Sequence, residues 1–292
     1  MSFVAAVAEA ITRATGVPFV PRASRGVSGG DIHMASVLED GARRFFVKAN
    51  QPDRLPVFEA EADGLAALAA SGAVRVPQVV CSGMAAGQAF LVLEHLDLRG
   101  HGDAARLGAQ LVALHRTPQA HFGWSRDNWI GATPQPNGWA DDWIAFWRDA
   151  RLGFQFELAA QNGYGGALLR DGEALRANLP AFFAGYMPAP SLLHGDLWGG
   201  NHGYLPDGMP VLFDPAPYVG DRECDLAMTE LFGGFSPGFQ AAYRAGWPLD
   251  PGYATRRTLY NLYHILNHAN LFGGGYAAQA ARMTAALLAE IR

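Results

Sequence analysis

The sequence predicts an α+β chain in two parts. A small antiparallel β-sheet with one helix occupies residues 1–96, and a larger, mainly helical part occupies 97–292. Three observations carry this expectation. Short strand-like runs crowd the first third, helical spacing dominates after residue 103, and the stretch "LDLRGHGD" at 96–103 separates the two regimes.

The elements follow in order. "MSFVAAVAEAITRATG" reads as an amphipathic helix, because Glu9 and Arg13 interrupt its apolar residues. With no basic segment ahead of it, it does not read as a signal peptide. "DIHMASVLED" and "ARRFFVKAN" are strands joined at Asp40-Gly41, a dipeptide that accepts the positive φ of tight hairpins. "VRVPQVVCSG" and "QAFLVLEHL" form a second pair around a glycine-containing turn. Between the pairs, "PVFEAEADGLAALAAS" is helical, with Phe58, Leu65 and Leu68 on one stripe. Further on, Leu107, Leu111 and Leu114 share a helix face. Helical patterns recur near 140–161, 221–232, 253–271 and 276–291.

Composition excludes several functions. Half of the 292 residues are hydrophobic and 17% are charged, which suits a well-cored chain rather than a disordered one. A net charge of −5 offers no basic excess for nucleic acid or an anionic membrane. The two cysteines, Cys81 and Cys224, supply neither a disulfide framework nor a thiolate zinc site and are expected as half-buried thiols. No apolar run approaches the ~18 residues of a membrane span. A cytoplasmic monomer is expected.

Chemistry-bearing residues fall in a telling order. Ser28, Gly29 and Gly30 lie in a turn between predicted strands, where glycines let backbone N–H groups approach phosphate oxygens; a plain turn is the competing reading. Lys48 ends the next strand, in "FFVKAN". Glu61 sits three residues after Phe58 and four before Leu65, so it lies within the apolar stripe and needs a cation, whereas Glu59 can be solvated. Lys48 is the partner expected for it, with Arg54 as the local alternative. The backbone of Glu94, His95 and Leu96, where "AFLVLEHLDL" turns polar, is a candidate to bind an adenine edge. "LLHGDLWGGN" then sets Asn201 five residues after Asp196, and Asp214 ends the apolar run "PVLF". Asp-x-x-x-x-Asn is the spacing of a kinase catalytic loop. In that reading Asp196 orients or accepts the proton of an attacking hydroxyl, while Asn201 and Asp214 offer hard oxygen ligands to Mg²⁺ beside ATP. His194 and His202 do not make a zinc site, since no third ligand falls at suitable spacing. Gly195 stands where protein kinases carry Arg, so a phosphorylated activation loop is not expected. Arg222 and Asp225 begin the following helix in structural roles, Asp225 as a cap for catalytic-loop amides.

These motifs resemble the fructosamine kinase family, relatives of aminoglycoside and choline kinases. "HGDLWGGN" followed by "FDPAPYVGDRECDLAM", the stretch "LHRTPQAHFGWSRDNWIGATPQPNGWADDWIAFWRDARL", and "FEAEADGLAAL" after "FFVKAN" carry the likeness from about residue 20 onward. The resemblance implies a protein-kinase-like two-lobed fold and ATP-dependent phosphorylation of ketosamines at the sugar 3-hydroxyl. By the same token Asp196 is the catalytic residue, Lys48 the ATP lysine, and Glu94 to Leu96 the adenine linker. Some members carry cysteine after the glycine pair; this chain has Asp31 there.

The acceptor side is less determined. Five tryptophans lie between 124 and 147. Trp143 and Trp147, one helical turn apart, are expected in the core. Trp124, Trp129 and Trp139 fall in a long stretch read as a loop, and Trp124, Trp129 or Trp198 is expected to stack on the acceptor. Two alternatives remain. One is a related kinase for an aminoglycoside, choline or homoserine-like acceptor, and the other a nucleotide-binding pseudokinase, which the intact Lys48, Glu61, Asp196, Asn201 and Asp214 oppose.

Overall fold

Apolar residues at helical spacing wind the start of the chain into α1 (Phe3–Thr15). Ser2 caps it by accepting the Ala5 N–H, and Gly16, at φ 69°, closes it in the left-handed conformation. The computed structural model of the chain describes residues 1–27 and 33–291. Two compact units form, one from Met1–Gly102 with Gly203–Asp214, the other from Asp103–His202 with Pro215–Arg292.

In the first unit, β1 (Ala23–Val27), β2 (Met34–Glu39), β3 (Arg44–Asn50), β4 (Val79–Ala85) and β5 (Gln88–Glu94) build one sheet in the order β1-β2-β3-β5-β4. All its pairings are antiparallel. The β2–β3 turn is held by the Asp40 carboxylate, which accepts the amides of Ala42 and Arg43. Ala86 and Gly87 close the β4–β5 hairpin, both at positive φ (48° and 79°), as a two-residue turn on right-twisted strands requires. The sheet alternation divides β3 between two faces. Phe45 and Val47 pack with Val7 and Ile11 of α1, while Lys48 points toward α2 (Leu55–Ala70). Both helices read in this part of the sequence are present: α1 covers Phe45 and Val47, and α2 brings Glu61 to Lys48.

The expected boundary at 96/97 also differs from the packing. Residues up to Gly102 stay with the sheet. A later segment carrying β9 (His202–Tyr204) and β10 (Pro210–Leu212) rejoins it through Arg99 and Tyr204, whose backbones bond reciprocally (2.7 and 3.0 Å), and through the Leu212 amide on the Arg75 carbonyl.

The second unit is mainly helical. Its helices are α3 (Ala104–His115), α4 (Trp143–Phe146), α5 (Phe154–Gln161), α6 (Ala167–Ala177), α7 (Glu223–Leu231), α8 (Pro237–Gly246), α9 (Tyr253–Phe272) and α10 (Gly275–Glu290). A π-helical turn, Trp147–Gly153, joins α4 to α5. Two short ribbons accompany them: β6 (Asn128–Ile130) with β7 (Thr133–Gln135), and β8 (Pro190–Leu192) with β11 (Val219–Asp221). The core gathers Trp143, Trp147, Phe156, Leu175, Tyr260 and Leu266. At Gly108 a Cβ would stand 2.5 Å from the Phe239 carbonyl, so α3 and α8 meet at a contact only glycine permits. α6 and α8 escaped the periodicity reading. "ALLRDGEALRA" buries only Leu168, Gly172 and Leu175, and α8 hangs on Phe239 and Tyr243 after a Ser236 cap.

Candidate active site

In the first unit, β3 delivers Lys48 and α2 delivers Glu61 to one point. Lys48 Nζ lies 2.7 Å from Glu61 Oε1 and 2.6 Å from Asp214 Oδ1. The Glu61 partner is thus Lys48, not Arg54. Burial opposes the charge on Lys48, yet the two carboxylates outweigh it and push the ammonium pKa up. Burial also pushes the Glu61 carboxyl up, against the pull of Lys48. The Glu61 side chain is only 10% exposed, whereas that of Asp214 is 47% exposed. Asp214 holds φ 54°, an uncommon conformation for a residue with a side chain.

The linker residues behave differently from one another. Glu94 is engaged within its own unit: its carboxylate takes the Arg75 guanidinium at 2.6 and 2.5 Å, and its N–H donates to the Gln78 carbonyl. An adenine contact from the Glu94 N–H is therefore precluded, and other polar atoms of the linker would have to supply one. His95 keeps a buried Nδ1 that makes no hydrogen bond among the described residues. Leu96 is half-buried. Ser28, Gly29, Gly30 and Asp31 lie outside the described residues.

In the second unit, β8 leads into the turn His194-Gly195-Asp196. Both amides before Asp196 are clamped by one buried carboxylate: His194 N–H donates to Asp225 Oδ2 (2.8 Å) and Gly195 N–H to Oδ1 (2.9 Å). Burial would raise the Asp225 carboxyl, but the His115 hydrogen bond, the nearby imidazoles and the Gly195 amide hold it below the usual range. Gly195 sits at φ 83°, with an added Cβ only 2.0 Å from the Ala216 carbonyl oxygen. This explains glycine where protein kinases have arginine. Asn201, in a short 3₁₀ turn (Gly199–Asn201), donates its amide to the Asp196 carbonyl (2.9 Å) and to Oδ2 (3.1 Å). The five-residue spacing thus brings the two side chains together, and it leaves the amide oxygen as the metal-ligating type of atom on Asn201. Among the described residues no group of three or more His, Cys, Asp or Glu side chains is arranged to hold a metal. The Asn201 amide oxygen in the second unit and the Asp214 carboxylate in the first are each oxygen donors of the type Mg²⁺ takes, an ion whose coordination needs few protein ligands.

The tryptophans separate by burial. Trp143 and Trp147 are core residues, as expected. The stretch expected as a structureless loop instead contains the β6–β7 hairpin, with Trp129 half-buried in β6. Trp124 packs partly buried against the core. Trp198 is 40% exposed, and its ring lies so close over Gly200 that a Cβ there would stand 2.2 Å away. Cys224, expected half-buried, is fully buried. Sequence reasoning missed His115, whose ring joins Asp225 to Tyr243, and the buried amides of Asn128, Gln135 and Asn137. Three carboxamides within ten residues of an aromatic stretch were the available signal.

Fold and site together define a kinase-type phosphotransferase. The sequence profile described as fructosamine kinase matches residues 3–290, and the chain belongs to that family. A "Probable ketoamine kinase" of Synechocystis is 48% identical over 280 residues, covering 95% of this chain and 94% of the relative. A chloroplastic "Protein-ribulosamine 3-kinase" of Arabidopsis thaliana is 41% identical, covering 87% and 79%. The crystal structure of a candidate fructosamine-3-kinase from Haemophilus somnus superposes with a TM-score of 0.90 at 27% identity, covering 98% of both chains.

Proposed function

We propose that the protein is an ATP-dependent ketosamine kinase that transfers the γ-phosphoryl group to the sugar 3-hydroxyl of an amine–sugar adduct, as a step in deglycation. The carrying observation is the Asp196–Asn201 pair on a turn built around Gly195. It is supported by the family membership and by relatives whose names specify ketoamine and ribulosamine.

Each residue then has a task. Asp196 accepts the hydrogen bond of the attacking hydroxyl, orients its lone pair and takes its proton as the new O–P bond forms and the γ-phosphorus bond to the bridging oxygen breaks, releasing ADP. The Asn201 amide fixes the carboxylate in position. Lys48, kept charged by Glu61, neutralises nucleotide phosphate oxygens. Asn201 and Asp214 offer oxygen atoms of the kind Mg²⁺ takes, and the ion would supply charge neutralisation on the transferring phosphate. No step needs a covalent enzyme intermediate, so positioning and electrostatics carry the rate. Trp198, exposed two residues after Asp196, offers an indole face to the acceptor.

An ATP-consumption screen against synthetic fructosyl- and ribulosyl-amines, with the phosphate position read by NMR, tests the reading. A 3-phosphate product is expected. Turnover confined to aminoglycosides or choline would replace it with the related-kinase alternative.

A further inference from the structure

The second unit buries a chain of polar groups that the reaction itself does not use. Arg151, fully buried in the π-helical turn, has no carboxylate within salt-bridge distance among the described residues. Its guanidinium lies 4.0 Å from the Tyr218 ring centroid and 4.6 Å from that of Phe146. A buried cation without a counter-ion is costly, so the bonds its terminal nitrogens do make are set in direction, while its buried Nε finds no partner among the described residues. Here one donor goes to the Pro136 carbonyl and another to Asn137 Oδ1, at 2.6 and 2.7 Å.

That second bond starts a one-way relay. With Asn137 Oδ1 accepting, its Nδ2 donates to Asn128 Oδ1 (2.8 Å), and Asn128 Nδ2 donates to the Pro217 carbonyl (2.8 Å). A second branch begins at Tyr263, whose hydroxyl donates to Gln135 Oε1 (2.8 Å). Gln135 Nε2 then donates to Asn128 Oδ1 (2.8 Å) and to the Ala216 carbonyl (3.1 Å). Asn128, Gln135 and Asn137 are all nearly or fully buried. Each amide is oriented by its upstream donor, so both branches end as donors on consecutive carbonyls, those of Ala216 and Pro217.

Ala216 is the residue against which the catalytic turn is built. Its N–H donates to the His194 carbonyl at 3.0 Å. Its carbonyl oxygen is also the atom that forbids a side chain at Gly195. The opposite side of the turn is already fixed by Asp225. We infer that Asn128 and Gln135, carried on the β6–β7 hairpin and oriented by Arg151 and Tyr263, are positioning residues that anchor the Ala216–Pro217 backbone beside the turn and so set the aim of Asp196. The hairpin that looked like an acceptor loop is, on this side, a brace for the catalytic base.

The inference rests on the kinase reading, and the test separates the two. Gln135→Met keeps the length and removes the donor, while Tyr263→Phe removes only the hydroxyl that orients it. Thr284→Val, deep in α10 and outside the relay, serves as the buried control. Gln135→Met should lower kcat at least ~10-fold, as a displaced catalytic group does, with KM for ATP within about twofold of wild type. Tyr263→Phe should lower kcat less, and the double variant should match Gln135→Met, because the two act through one contact. In amide hydrogen exchange, Ala216 should open faster in Gln135→Met while Leu287 in α10 stays unchanged. Unaltered kcat and unaltered Ala216 exchange would overturn the inference. So would losses that track equal opening at Leu287 and recur in Thr284→Val. A wild-type protein that turns over no ketosamine would remove the functional reading, and the exchange comparison would still decide the brace.

Discussion

At Gly195 a single backbone conformation decides what the His194-Gly195-Asp196 turn can be. The left-handed φ of 83° and the 2.0 Å approach to Ala216 leave no volume for a methyl group. Gly195→Ala should destabilise the protein by more than about 2 kcal/mol, the sum of local strain and an overpacked contact. Denaturant unfolding measures this, and a midpoint equal to wild type would mean the turn is slack. One residue on, Asp196→Asn retains the shape and removes the proposed proton acceptor. It should cut kcat by ~10²-fold or more, with ATP still bound in a calorimetric titration. Near-normal turnover would show that another group takes the proton. Sequence spacing pointed to Asp196 and Asn201 directly, since five residues of intervening chain can be read without coordinates. The need for glycine at 195 could not be read, because the atom that imposes it lies twenty-one residues away.

Between elements, the Lys48–Glu61 contact ties β3 to α2. Each side chain is nearly buried; Glu61 relies on Lys48 for its cation, while Lys48 is shared with Asp214. Lys48→Met and Glu61→Gln should each raise KM for ATP. In a double-mutant cycle on kcat/KM they should couple by about 1 kcal/mol or more, within the range of directly bonded pairs. Strictly additive effects would mean the two groups serve ATP independently. This pair was legible because an acid inside an apolar stripe has to find a cation. That Lys48 also takes Asp214 was not legible, since 166 residues separate them in the chain. The same limit applied to α6 and α8. They bury few side chains, and helix formation there is settled by what they pack against.

For the molecule as a whole, charge distribution bears on the acceptor. From residue 234 onward the acids are Asp250 and Glu290 alone. The structure shows Asp250 already bonded to Arg256, which also takes Glu223, while Arg244 and Arg257 share Glu230. The apparent basic excess of this segment is thus largely compensated by α7, and Asp250 is not held in reserve. A polycationic aminoglycoside wants several uncommitted carboxylates. A ketosamine with one ammonium needs far fewer. Steady-state kinetics should therefore give kcat/KM for fructosyl- or ribulosyl-lysine far above that for kanamycin-type compounds. Efficient kanamycin phosphorylation without ketosamine turnover would move the protein to an aminoglycoside-like reading.

What the sequence by itself determined is what depends on near neighbours. Strand alternation, the helical stripe around Glu61, the Asp-x-x-x-x-Asn spacing and the ordered motifs all lie within short windows, where pleat and helix periods act directly. Only the tertiary structure decided that Asp225 clamps the catalytic turn, that Gly203–Asp214 returns to the first unit, and that an Arg-led chain of buried amides ends on Ala216 and Pro217. Those features join residues far apart in the chain. They exist because a buried polar group must be satisfied by whatever the fold brings beside it, and no local pattern records that partner.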